Sequence, residues 1–126
     1  MIHLDTHVVV WLVSGLSAKV PQPVLDRLEQ DQAATSPMVR LELEFLHEIG
    51  RLRHPAERVL GEMRRATGLV EDPTSFGEVI GEAAALTWTR DPFDRIIVAQ
   101  ALAAGCPLIT ADRALRERLP AHTVWA

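Results

Sequence analysis

Five acidic residues stand at positions where acids can do chemistry together. Asp5 directly follows the apolar run Ile2-His3-Leu4, and Asp112 follows the apolar stretch Pro107 to Thr110. Asp91 and Asp94 open one apolar segment, and Glu42 lies inside another. Taken singly, an Asp at a helix start has a plain explanation, because it accepts free backbone N–H groups and complements the helix dipole. Asp91, immediately before Pro92, fits that explanation best and is read as mainly structural. Glu42 does not fit it. At 100° per residue, a helix from Pro37 puts Met38, Leu41, Phe45, Leu46, Ile49 and Leu52 on one broad stripe with Glu42 inside it. Glu44 points the other way, beside Arg40, Glu48 and Arg51, as an ordinary solvated acid. Asp94 shares its face with Ile97, Val98 and Ala101. Carboxylates aimed at one cleft repel each other, and a bound cation is the usual compensation; an all-oxygen donor set favours Mg²⁺ or Mn²⁺. The five histidines form no zinc-ligand spacing.

Strands alternating with helices must position these acids. Ile2 to Leu4 reads as a strand and Thr6 to Val13 as a helix; Pro21 to Gln30 is helical and Gln32 to Thr35 a strand. Ser36-Pro37 and Asp91-Pro92 both have the cap-plus-proline pattern of a helix start, the second helix running to Gly105. Further helices are expected over His54 to Ala66, Ser75 to Trp88 and Asp112 to Leu119, and strands at Leu69 to Glu71, Pro107 to Thr110 and His122 to Trp125. This order predicts a three-layer α/β/α sandwich on a mainly parallel sheet, with ligands bound beyond the carboxyl ends of the strands. In a parallel sheet Asp5 and Asp112 share that edge.

The chain of 126 residues reads as one domain, residues 1–126, without repeats or linker-like tracts. At 48% apolar and 24% charged residues it has the composition of a soluble globular protein rather than a disordered one. Its apolar runs are too short to cross a bilayer, and no basic segment leads into a signal-peptide core, so a cytoplasmic protein is expected. The net charge of −4 argues against binding nucleic acid through a broad basic surface, but not against a metal site. The single cysteine, Cys106, excludes an internal disulfide and is expected to be a buried bystander.

Four segments together resemble the PIN domains, and within them the VapC-type toxins of bacterial toxin–antitoxin systems. They are Leu4-Asp5-Thr6-His7-Val8-Val9-Val10-Trp11-Leu12, Ser36-Pro37-Met38-Val39-Arg40-Leu41-Glu42-Leu43, Arg90-Asp91-Pro92-Phe93-Asp94-Arg95-Ile96-Ile97-Val98-Ala99-Gln100-Ala101, and Leu108-Ile109-Thr110-Ala111-Asp112. The resemblance implies a metal-dependent endoribonuclease, a homodimer and a small cognate antitoxin as partner. It places the family's four acids on Asp5, Glu42, Asp94 and Asp112, as both catalytic and metal-holding residues. Thr110 matches a hydroxyl position that supports the site; Thr6 and Asp91 are further supporting positions within the matching segments. It also implies Mg²⁺, with Mn²⁺ as a substitute, and products ending in 5′-phosphate and 3′-hydroxyl.

Two other readings compete. Aspartyl-phosphate chemistry also places Asp after a first strand, but it calls for a late Lys, and the only one here is Lys19. A catalytically silent PIN fold that binds RNA or protein without cutting is the second. Loss of one or more acids would favour it, and all four are present.

Overall fold

The computed structural model describes residues 1–126 and bears out the layered architecture. The strands are β1 (Ile2–Leu4), β2 (Ala33–Thr35), β3 (Val70–Glu71), β4 (Leu108–Ile109) and β5 (Thr123–Val124). The helices are α1 (Thr6–Val13), α2 (Gln22–Gln30), α3 (Pro37–Glu48), α4 (Ala56–Thr67), α5 (Phe76–Ala84), α6 (Pro92–Ala104) and α7 (Arg113–Arg118). The sheet order is β3-β2-β1-β4-β5 and every pairing is parallel. Strand order reverses at β1, so the crevice between β1 and β4 is a topological switch point, where ligands bind in doubly wound sheets. Asp5 and Asp112 follow these two strands.

The core explains why so short a sheet holds. Ile2, Leu4, Leu108 and Ile109 of the two central strands are buried, as expected for parallel strands covered on both faces. Val8, Val9, Val39, Leu43, Val59, Met63, Ile97 and Val98 pack into the same cluster from the helices. Transfer of such side chains from water supplies about 1.5–3 kcal/mol each, offset largely by the entropy of ordering the chain.

Element boundaries depart from the expectations for local reasons. A short 3₁₀ turn at Ser17–Lys19 was not expected. The helix expected over His54 to Ala66 begins at Ala56 after Pro55 and ends at Gly68, whose φ of 71° is the left-handed stop that glycine adopts without strain. The helix expected to reach Trp88 stops at Ala84. Thr87, Trp88 and Thr89 are poor helix formers, and the Arg95 guanidinium takes over the open carbonyls there. Its Nε donates to Ala83 O at 2.8 Å and its Nη2 to Ala84 O at 3.3 Å. Cys106, expected to be buried, is half-buried, with Sγ 3.5 Å from Ala104 O.

The α3 stripe is rotated from the expected one. Val39 and Leu43 form the buried line, while Leu41, Phe45 and Ile49 are 57%, 42% and 49% exposed. Glu42 lies half-buried at the edge of the packed face rather than in the middle of an apolar one, and Glu44 is half-buried too, not freely solvated. Arg40 leaves Glu44 and grips Glu71, its Nε donating to Oε2 at 2.7 Å and its Nη2 to Oε1 at 3.2 Å.

Candidate active site

Asp5 is held from two sides at the carboxyl end of β1. Its Oδ1 accepts the Thr6 N–H at 2.8 Å, which makes it the cap of α1, and its Oδ2 accepts the Thr110 hydroxyl at 2.7 Å. The Thr110 oxygen in turn accepts the Asp112 N–H at 3.1 Å. One hydroxyl therefore ties the segment after β4 to the acid after β1. Asp112 caps α7 through Leu115 N–H at 3.1 Å, and Asp91 caps α6 through Phe93 N–H at 2.8 Å. The cap explanation thus holds for Asp5, Asp91 and Asp112.

Glu42 and Asp94 have no cap to serve. Asp94 sits in the first turn of α6 and Glu42 six residues into α3, and no hydrogen bond of standard geometry holds either carboxylate. Their electrostatics identify them. Burial raises the Asp94 carboxyl, and the charges of Asp5, Asp91, Glu42 and Asp112 push it further, to about 7 from an ordinary 3.8. Burial likewise raises Glu42, which feels Asp5 and Asp91, while the neighbouring Thr6 hydroxyl and His7 partly counter the rise. Asp5 is raised by burial and by Asp112, against the hydrogen bonds from Thr110 and Thr6 and against His7. Each of these three acids senses at least one other across separate elements, so all four candidate acids share one field. Thr6 Oγ1 is buried and lacks a partner at standard hydrogen-bond geometry. It is a polar atom facing this cluster with capacity to spare.

No three acidic, histidine or cysteine side chains converge closely enough to form a direct metal-ligand group as they stand. The donor set is nevertheless all oxygen, repulsive and under-compensated, which is the chemistry that a hard divalent cation relieves. Hard cations such as Mg²⁺ usually retain several waters and take one or two carboxylates directly, so the residues fit such an ion held partly through water. The surface hollows of 670 Å³ between α1, α2 and α4, 550 Å³ beside Arg40, Leu60 and Arg64, and 520 Å³ beside Ser36, Asp72 and Gln100 contain none of the four acids. The acid ledge is recognised by charge, not by concavity.

A second polar centre lies behind the ledge and was missed from the sequence. His3 Nε2 is 2.9 Å from Asp72 Oδ2, both side chains being buried. Asp72 Oδ1 accepts the Thr74 N–H at 2.7 Å and Gln100 Nε2 at 3.1 Å, and Gln100 Oε1 accepts the Ser36 hydroxyl at 3.1 Å. The available signal was His3 itself. A central parallel strand is normally apolar on both faces, so a histidine between Ile2 and Leu4 requires a buried partner.

The sequence matches the PIN domain family over residues 2–118. In fold it is similar to a chain of the crystal structure of VapBC2 from Rickettsia felis bound to a DNA fragment from their promoter, with a TM-score of 0.70 and 17% identity, covering 100% of each chain. No curated protein matches it significantly.

Proposed function

The chain belongs to the PIN domain family, and from that premise we propose that it is a metal-dependent endoribonuclease, the toxin of a type II toxin–antitoxin pair. The observation that carries the nuclease reading is the Asp94 carboxyl raised to about 7 by burial and by four other acids, three of them (Asp5, Glu42 and Asp112) from distant parts of the chain. A fold spends stability on such a cluster where its charge is used. The toxin reading is supported by the four sequence segments that resemble VapC-type toxins and by the likeness to VapBC2. It carries with it a cognate antitoxin, a homodimer and a cytoplasmic site of action. No helix is long and apolar enough to cross a membrane.

Asp5, Glu42, Asp94 and Asp112 would hold one or two Mg²⁺ ions, or Mn²⁺, directly or through water. The ion would lower the pKa of an attacking water and neutralise charge on the scissile phosphate and leaving oxygen. Around it the side chains have separable tasks. Thr110 favours the ionised form of Asp5 against its burial and orients it, and Asp112 reaches the same ledge from the cap of α7. Asp94, with its carboxyl raised to about 7, is partly protonated near neutral pH and would release that proton to solvent if a cation were held there. Asp91 keeps its cap to Phe93 and adds negative field. Thr6 favours the charged form of Glu42.

The test is cleavage of RNA by the purified, antitoxin-free protein, with the new ends sequenced. Cleavage with Mg²⁺ or Mn²⁺ that stops in chelator and leaves 5′-phosphate and 3′-hydroxyl ends is expected. Undiminished cleavage in excess chelator, with contaminating nuclease excluded, would overturn the metal reading. A folded protein that binds RNA or a neighbouring gene product without ever cutting would instead be the silent form of the fold. Expression should arrest growth, and an adjacent small gene product should relieve the arrest. If no neighbouring product binds or neutralises it, the toxin assignment fails and the nuclease one stands.

A further inference from the structure

Glu42 and Asp94 lie on different helices, and nothing bonds one carboxylate to the other. Their separation is therefore set by how α3 lies on α6. The two helices pack together, and two side-chain contacts join their ends. At one, the buried Ser36 hydroxyl at the start of α3 donates to Gln100 Oε1 of α6 at 3.1 Å. At the other, the Phe45 and Phe93 rings stand 5.5 Å apart, tilted by 31°. Residue numbers rise from 36 to 45 along α3 while their partners fall from 100 to 93 along α6, so the helices run antiparallel. Glu42 is six residues after Ser36, and Asp94 is six residues before Gln100. At about 1.5 Å of rise per residue each acid lies ~9 Å from the polar contact, so the two stand level. Both fall between the polar and the aromatic contact.

We propose that Gln100 and the Phe45–Phe93 pair form a two-ended clamp on α3 and α6, and that these are positioning residues that set the spacing of Glu42 and Asp94. The inference rests on the metal-dependent nuclease reading of that acid pair. The polar end is itself anchored. Gln100 Nε2 donates to Asp72 Oδ1 at 3.1 Å, and Asp72 is fixed by His3 of β1, by the Thr74 N–H and by its own N–H to Thr35 O at 2.8 Å. Through Gln100 the register of both acid-bearing helices is referred to the sheet, on whose edge Asp5 stands. The aromatic end has no such anchor, and Phe45 is 42% exposed. A ring on a wet surface contributes modestly to stability, yet this one meets Phe93, the residue directly before Asp94. A misplacement of about 1 Å suffices to spoil a reacting constellation.

A role confined to stability would show in melting curves alone, so the test separates ligand geometry from folding. The variants are Gln100→Met, similar in size but without the amide, together with Phe45→Leu and Phe45→Tyr, the last keeping an aromatic pair. For each, Mn²⁺ affinity is measured by calorimetry on the protein alone, kcat and KM on one RNA oligonucleotide, and the melting temperature without metal. Gln100→Met and Phe45→Leu are expected to weaken Mn²⁺ binding and lower kcat by roughly 10- to 100-fold, the range for residues that orient metal ligands. KM for RNA should stay within a factor of about two, Phe45→Leu should melt like the parent, and Phe45→Tyr should restore both affinity and kcat. If Mn²⁺ affinity and kcat are unchanged in Gln100→Met and Phe45→Leu while the parent binds and cuts, the clamp is wrong and the nuclease reading survives. Losses that merely follow the melting temperature, or that Phe45→Tyr shares in full, overturn it as well. If the folded parent neither binds Mn²⁺ nor cuts RNA, the nuclease reading falls and the clamp with it.

Discussion

Asp94 and Asp72 are half-buried and buried aspartates of one small domain, and the protein treats them in opposite ways. Burial alone would raise both. At Asp72 the hydrogen bonds from Thr74, Gln100 and His3 outweigh that penalty and hold the carboxyl down at about 2. At Asp94 no donor intervenes, and the neighbouring charges add to burial, so the carboxyl rises to about 7. Asp72 is a completed structural charge, with its three donors in place. Asp94 is an incomplete one that a cation from outside could complete. Burial does not distinguish the two acids; the presence or absence of compensating donors does.

The comparison breaks most sharply under direct substitution. Glu42→Gln and Asp94→Asn are expected to lower RNA cleavage by on the order of 10²–10³-fold or more, as when one preorganised electrostatic group is lost from a catalytic site. Neither should lower the melting temperature in chelator, because each removes repulsion rather than a bond. Both should shrink the rise in melting temperature that Mg²⁺ produces. Asp72→Ala should do the reverse to stability, leaving Gln100, Thr74 and His3 with unmatched groups that cost about 1–3 kcal/mol each. Cleavage retained in Asp94→Asn alongside a lowered melting temperature would put Asp94 in the same class as Asp72 and dissolve the contrast.

A pH series sharpens it without touching the acid ledge of the parent. For Asp94 the folded carboxyl binds its proton more tightly than the unfolded one, so between about pH 4 and 7 the folded state carries more protons and stability falls as pH rises. For Asp72 the folded carboxyl binds its proton less tightly, so its contribution is present above about pH 4 and is lost as pH falls toward 2. Urea unfolding in chelator across this range should show both limbs. Asp94→Asn should flatten the upper one alone. Because the proton and the cation compete for Asp94, cleavage at subsaturating Mg²⁺ should climb through about pH 7. A rate flat from pH 6 to 8 at low Mg²⁺ would remove Asp94 from the metal site.

How much of this the sequence disclosed depends on whether a residue's role is local. Asp5, Asp91 and Asp112 were legible because a cap is a local arrangement, and the order of strands and helices placed two of them on one sheet edge. The α3 stripe was not, since Leu41, Phe45 and Ile49 satisfy helical periodicity as well as Val39 and Leu43 do. Only the direction from which α6 and the sheet approach decides which line is buried. Glu42 is half-buried, as an acid on a packed helix face should be, although the apolar surroundings expected for it are displaced. The His3–Asp72–Gln100 network was missed because its members are 69 and 28 residues apart and no pattern links them. The end of α5 was misjudged for a related reason, its carbonyls being closed by Arg95 from the following helix.

The smallest expected effect concerns Thr110, the one hydroxyl that bridges the two sequence-distant acids at the switch point. It donates to Asp5 Oδ2 at 2.7 Å and accepts from the Asp112 N–H at 3.1 Å, so it favours the ionised form of one acid and fixes the backbone of the other. Thr110→Val keeps the shape of the buried side chain and removes both interactions. With that donor gone, burial should raise the Asp5 carboxyl further, so less of it is ionised at neutral pH. Cleavage at pH 7 should drop about tenfold, the lower end of what orienting partners of metal ligands contribute. Part of that loss should return at pH 9, because raising the pH favours the ionised form of Asp5, and Thr110→Ser should behave like the parent. Initial cleavage rates of the three proteins at both pH values make the measurement. If the Thr110→Val deficit is the same at pH 7 and pH 9, Thr110 does not act through the ionisation of Asp5, and its part in the site reduces to holding the Asp112 backbone in place.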